Sequence, residues 1–167
     1  MYLIDGNNVM GQRVGWHRDK PAARRHLLEE LARLARARKT RLAVVFDGRP
    51  DDQFPDGTSY RSVRIHYAGP GSDADTRIVE MVEATTNKRN LTVVTSDRGL
   101  TARVRVCGVR VVKSGVFRQF MEEAQASGEL TTPPTLADHE LENWLRYFGV
   151  PPEEDGEDPD EEEDSSF

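Results

Sequence analysis

The chain of 167 residues is poor in several things. Its single cysteine, Cys107, excludes an intramolecular disulfide and a Cys-rich zinc site, so the fold must rest on its core. No apolar run is longer than the five residues 42–46, far short of the roughly 20 that span a bilayer. A membrane span is therefore excluded. The first residues, Met1-Tyr2-Leu3-Ile4-Asp5, contain neither a basic nor a hydrophobic signal region, and a cytoplasmic protein is expected. Aromatics make up 7% of the chain and no repeat of solenoid length is visible. The four histidines, His17, His26, His66 and His139, have no metal-ligand spacing and read as surface residues.

What the chain has in quantity is charge, 31% of its residues, unevenly placed. The formal net charge is -6, but residues 151–167 hold ten of the 29 acids and no base. Residues 1–150 then carry 23 bases against 19 acids, a mildly basic body. A run of like charge with almost no apolar side chain cannot offset its ordering entropy. Residues 151–167 therefore read as a disordered acidic tail.

Along the body, strand and helix patterns alternate. Strands are expected at 2–4, 42–46, 62–67, 91–95 and 109–112, and 62–67, which alternates Val63, Ile65 and Tyr67, reads as an edge strand. Helices are expected at 21–39, 72–88, 100–106 and 117–125, with a further one at 136–147 after Pro133-Pro134. The helix at 21–39 places Leu27, Leu31, Leu34 and Ala35 on one stripe and Arg25, Arg33, Arg36 and Arg38 on the other face. This alternation predicts a doubly wound α/β domain with a mainly parallel sheet.

Three buried strands run into an aspartate: Leu3-Ile4-Asp5, Val45-Phe46-Asp47 and Val94-Thr95-Ser96-Asp97. In a parallel sheet those strand ends lie on one edge, where ligands bind. Asp75 is a fourth candidate. On a helical wheel Ile78, Val79 and Val82 fall within about 60° of it, which places it on the sheet-facing stripe, whereas Asp73 and Glu80 fall opposite. Crowded carboxylates repel one another, and a hard divalent cation, Mg2+ or Mn2+, relieves that. Against this, an Asp-Gly after a strand is ordinary turn chemistry, and residues 72–75 also read as a helix cap.

These motifs resemble a known family, the NYN domains of the PIN-like nuclease superfamily, and among them the YacP-like proteins. The residues concerned are Leu3-Ile4-Asp5-Gly6-Asn7-Asn8-Val9, Val45-Phe46-Asp47-Gly48, Ser72-Asp73-Ala74-Asp75 with Ile78, and Val94-Thr95-Ser96-Asp97-Arg98. The clear resemblance covers residues 1–125 of a domain taken as 1–150. It implies a PIN-like three-layer α/β/α fold, to which the helix at 136–147 and the tail are additions. It implies divalent-metal binding by Asp5, Asp47, Asp75 and Asp97, with Asp5, Asp75 and Asp97 as catalytic acids and Asn8 and Ser96 as polar supports. It further implies an endoribonuclease acting in RNA processing or decay, with RNA as substrate and the ribosome or RNA-processing machinery as a partner. Arg13, Arg18, Arg98 and Arg103 would neutralise the RNA backbone. Where family members often carry a second acid after the helix aspartate, this chain has Thr76. That departure keeps a second reading open, an RNA-binding adaptor with a weakened metal site.

Overall fold

The structure, a computed structural model, describes residues 1–126. The helix expected at 136–147 and the acidic segment 151–167 lie outside the described residues.

Six strands form one sheet: β1 (Tyr2–Asp5), β2 (Leu42–Phe46), β3 (Ser59–Tyr60), β4 (Val63–Tyr67), β5 (Thr92–Val94) and β6 (Arg110–Val112). Their order is β3-β4-β2-β1-β5-β6. All neighbours pair in parallel except β3 and β4, which are antiparallel. The chain starts in the middle of the sheet, builds outward through β2 and β4, then crosses to the other side of β1 for β5 and β6. The reversal lies beside β1, and the crevice of a parallel sheet opens at such a point. The strand expected at the edge, β4, is one place in from it. Ser59 and Tyr60 cover its outer side, a pairing too short to leave an alternating pattern in the sequence.

Helices α1 (Gly6–Met10), α2 (Lys20–Arg38), α3 (Ala74–Ala84), α4 (Arg98–Arg105) and α5 (Ser114–Ala126) cover the sheet. One face is packed by α3 and α4: Leu3, Ala43, Val45 and Val93 meet Ala74, Ile78, Val82, Leu100 and Val104, all buried. Strand alternation turns Tyr2, Ile4, Val44 and Phe46 to the other face. There Tyr2 lies 5.7 Å from Phe117 of α5, and Arg24 of α2 lies 5.5 Å from Phe46, ring centroids being the reference. α2 buries Leu27, Leu28, Leu31, Leu34 and Ala35 and leaves Arg25, Arg33 and Arg36 exposed. The three layers are thus helix, sheet and helix.

α3 is shorter than its pattern. It begins after Asp73, whose carboxylate accepts a hydrogen bond from the Thr76 amide at 2.8 Å, and ends at Ala84. Thr85, β-branched, turns its hydroxyl back onto the Met81 carbonyl at 2.8 Å and adopts an extended backbone, which stops the helix. The buried line along α3 is Ala74, Ile78 and Val82. Asp75 stands beside that line and half-buried, whereas the helical wheel put it on the sheet-facing stripe.

Candidate active site

Asp5 closes β1 and opens α1. Its Oδ1 accepts from the Asn8 amide at 3.1 Å, so one carboxylate both ends the strand and caps the helix. Gly6 makes the close approach possible: a Cβ there would stand 2.5 Å from the Phe46 ring and 2.9 Å from the Val45 carbonyl oxygen. Asp5 shares the face of Leu3, that of α3 and α4. Its Oδ2 accepts from the hydroxyl of Thr95, which is fully buried and in turn accepts from the Asp97 amide at 3.1 Å.

The other three aspartates reach the same edge from separate elements. Asp47 follows β2, and its Oδ1 accepts from the amide of Ala74, the first residue of α3, at 2.7 Å. Asp97 caps α4 through the Leu100 amide at 2.7 Å. Asp75 sits in the first turn of α3. Their fields overlap. Burial pushes the Asp5 carboxyl up to about 6, with Asp75 and Asp47 adding to the rise against the hydrogen bonds from Asn8 and Thr95. Asp75 is also raised, first by burial and then by Asp97, Asp73 and Asp47, while Arg103 pulls it back. The fully exposed Asp73, by contrast, is lowered by the amide and hydroxyl of Thr76.

These carboxylates sense one another without forming a cage. Among the described residues no three His, Cys, Asp or Glu side chains are close enough to hold one ion between them. Nor do the described residues donate any hydrogen bond to Oδ2 of Asp47, Oδ2 of Asp97 or either carboxylate oxygen of Asp75. Four carboxylates, two of them raised by burial and by their neighbours, with oxygens to spare, suit a hydrated Mg2+ or Mn2+ that keeps most of its waters and takes one or two carboxylates directly. They do not suit an all-protein cage of the calcium type.

A polar network braces the edge. Asn8 Oδ1 accepts from the Ser96 amide at 2.9 Å and from the Ser114 hydroxyl at 2.6 Å, and Ser96 Oγ accepts from the Ser114 amide at 3.0 Å. Asn7 Oδ1 accepts from the Asp47 amide at 3.2 Å. Arg24, lying against the rings of both Phe46 and Tyr67, donates to the carbonyls of Asp47 and Arg49. The roles of Asn7, Thr95, Ser114 and Arg24 were not read from the sequence. The only signals were a threonine ending an apolar strand and a serine following another, and for Arg24 there was none.

The four arginines assigned to RNA divide into two pairs. Arg98 opens α4 directly after Asp97, and Arg103 lies within electrostatic reach of Asp73 and Asp75. Arg13 and Arg18 instead line a cavity of about 270 Å3 together with Trp16, His26, Glu30 and Arg118, and none of the four aspartates borders it. Arg13 is held there by Glu30 at 2.6 Å.

A family profile of YacP-like NYN domains matches residues 2–143. This chain belongs to that family. Two crystal structures share the fold. Rae1 (YacP) from Bacillus subtilis is 20% identical, with a TM-score of 0.60 over 89% of this chain and 80% of that one. A tryptophan-to-leucine mutant of the same Bacillus protein is 18% identical, with a TM-score of 0.61 over 88% and 82%. No curated protein sequence matches. Among the described residues no helix is long and apolar enough to cross a membrane.

Proposed function

We propose that the chain is a divalent-metal-dependent endoribonuclease that hydrolyses RNA phosphodiester bonds. The observation that carries this reading is the convergence of Asp5, Asp47, Asp75 and Asp97, from four separate elements, on the edge beside β1, where each raised carboxyl owes part of its rise to its neighbours. Membership of the NYN family points the same way.

Asp5, Asp75 and Asp97 would hold Mg2+ or Mn2+, with Asp47 as a further ligand, directly or through water. When bound, the ion supplies Lewis acidity, which makes a water nucleophilic at neutral pH and offsets charge on the phosphate. Thr95 fixes the orientation of Asp5, and the Asn8-Ser96-Ser114 network fixes the loop that carries Asp97. Arg98 and Arg103 draw the backbone to an edge that would otherwise repel it. Products would carry a 5'-phosphate and a 3'-hydroxyl.

One observation favours the second reading, an RNA-binding adaptor with a weakened metal site. The position after Asp75 is Thr76, and no three carboxylates share a single ion's reach among the described residues. A cleavage assay on single-stranded RNA with Mn2+, Mg2+ or EDTA separates the two. Metal-dependent cleavage that is lost in Asp75→Asn supports the nuclease. Binding without cleavage at millimolar Mn2+ supports the adaptor.

A further inference from the structure

A cluster of bases lies at the edge of the sheet opposite the aspartates, where α3 and α5 also end and bring Glu83, Glu122 and Glu123. The aspartates occupy the edge where parallel strands end. At the opposite edge β2, β1, β5 and β6 begin side by side. Arg41 stands immediately before β2, Lys88 and Arg89 shortly before β5, and Arg110 begins β6. α2 and α4 run back to this edge before the strands they lead to, and add Arg38, Lys39 and Arg105 near their ends. Neighbouring strands lie about 4.8 Å apart, so the step from β2 to β6 spans roughly 14 Å, the rise of about four nucleotides of one strand in a duplex.

None of these seven bases is within 4 Å of a carboxylate among the described residues. Among the described lysines and arginines Arg13, Arg77 and Arg118 are the ones paired with acids, so the edge is marked by the number of bases gathered there and not by their lack of partners. The bases of this edge touch neutral groups instead. Arg110 Nη2 donates to the Arg89 carbonyl at 3.2 Å, and Arg38 lies 5.2 Å from the Phe120 ring centroid. Arg110 and Arg38 both act on the phenol of Tyr2, which burial raises and these two cations pull back. Lys39, Arg41, Arg89, Arg105 and Arg110 are exposed. A row of exposed cations that no described carboxylate approaches within 4 Å is a field that attracts a polyanion.

We propose that this edge is a second RNA-binding face, which grips the phosphodiester backbone away from the aspartates and without regard to base sequence. The identity of the polyanion rests on the ribonuclease reading. The face itself rests on the charge distribution. A strand long enough to reach both edges gains from two attachments on one molecule.

The four lysines of the chain provide the test, because they fall two to an edge. Lys20 begins α2 and Lys113 follows β6 at the aspartate edge, while Lys39 and Lys88 mark the opposite one. The full-length protein is acetylated at its lysines with and without a single-stranded RNA of about 30 nucleotides, and the modified sites are read by mass spectrometry. RNA should protect Lys39 and Lys88 at low salt, and the protection should fade as salt rises. In binding titrations the double variant Arg41→Ala/Arg110→Ala should flatten the slope of log affinity against log salt by about 0.7 per lost contact, roughly 1.4 for the pair. RNA that protects only Lys20 and Lys113 would overturn the second face while leaving the ribonuclease reading intact. No RNA binding at all would remove both. Lys39 and Lys88 that resist acetylation before RNA is added, and react once salt is raised, would assign the face to acidic polypeptide and overturn the RNA assignment.

Discussion

Replacing Asp5 by asparagine should stabilise the metal-free protein at pH 8 and not at pH 4. Asp5 is only 5% exposed, and Asp75 from α3 and Asp47 from the loop after β2 both face it with the same sign. Its carboxyl is raised from 3.8 to about 6, so the folded state holds the proton more tightly than the unfolded chain does. A carboxyl of that kind contributes stability that is fully present below the unfolded value and is lost as pH rises through the folded one. Each tenfold change in proton affinity is about 1.4 kcal/mol, so ionising Asp5 in place costs roughly 3 kcal/mol by pH 8. Asparagine carries no such penalty. It keeps an oxygen for the Asn8 amide but sets an NH2 against the Thr95 hydroxyl, which must then turn its proton elsewhere, a rearrangement that costs about 1 kcal/mol. The variant should thus be about 2 kcal/mol more stable than the parent at pH 8 and slightly less stable at pH 4, with the crossover between pH 4 and 6. Urea unfolding of both proteins in EDTA across this range gives the difference directly. A difference that stays flat, or a parent that gains on the variant above pH 6, would refute the burial argument. Millimolar Mn2+ should erase most of the parent's penalty, since the cation neutralises the carboxylate in the folded state alone, and should shift the melting temperature of Asp5→Asn less.

Other substitutions test other parts of the edge. Gly6→Ala places a Cβ against the Phe46 ring and the Val45 carbonyl, and thermal melting should show a loss of about 1–3 kcal/mol. Asp73→Ala removes the cap of α3 and should cost about 0.5–2 kcal/mol while RNA cleavage persists, whereas Asp75→Asn should abolish cleavage with the melting temperature nearly unchanged. Equal loss of cleavage from both would show that Asp73 shares the site. Glu30→Ala leaves the buried Arg118 with only the exposed Glu122 at 3.9 Å, and denaturant unfolding should register a loss of about 3 kcal/mol, the low end for a broken buried pair.

The edge itself was legible because parallel strands place all their ends together, and an apolar run followed by aspartate marks each end. The path back from those ends was less so. α1 is five residues long, too short for any periodicity, and is set by the Asp5 carboxylate instead of by a pattern of side chains. The wheel put Asp75 on the sheet-facing stripe of α3 because Ile78, Val79 and Val82 are all apolar. Ala74 lies on the buried line instead, and its amide donates to Asp47. Ser114 and Thr95 stand out only in three dimensions, since a buried hydroxyl is recognisable by the partner it satisfies and those partners are 106 and 90 residues away.

Those separations bear on how the protein is made. A ribosome releases a chain N-terminus first, so β1 and Asp5 emerge before every other element described. Yet β1 is flanked on one side by a strand that begins at Thr92, and Asn8 waits for the hydroxyl of Ser114. Until Thr95 has cleared the exit tunnel Asp5 lacks the hydroxyl that holds it, and until Ser114 has cleared it Asn8 lacks its shortest hydrogen bond. The edge is therefore assembled only after β5 and β6 have been made, and a chain interrupted before β6 carries all four aspartates but not the frame that holds them.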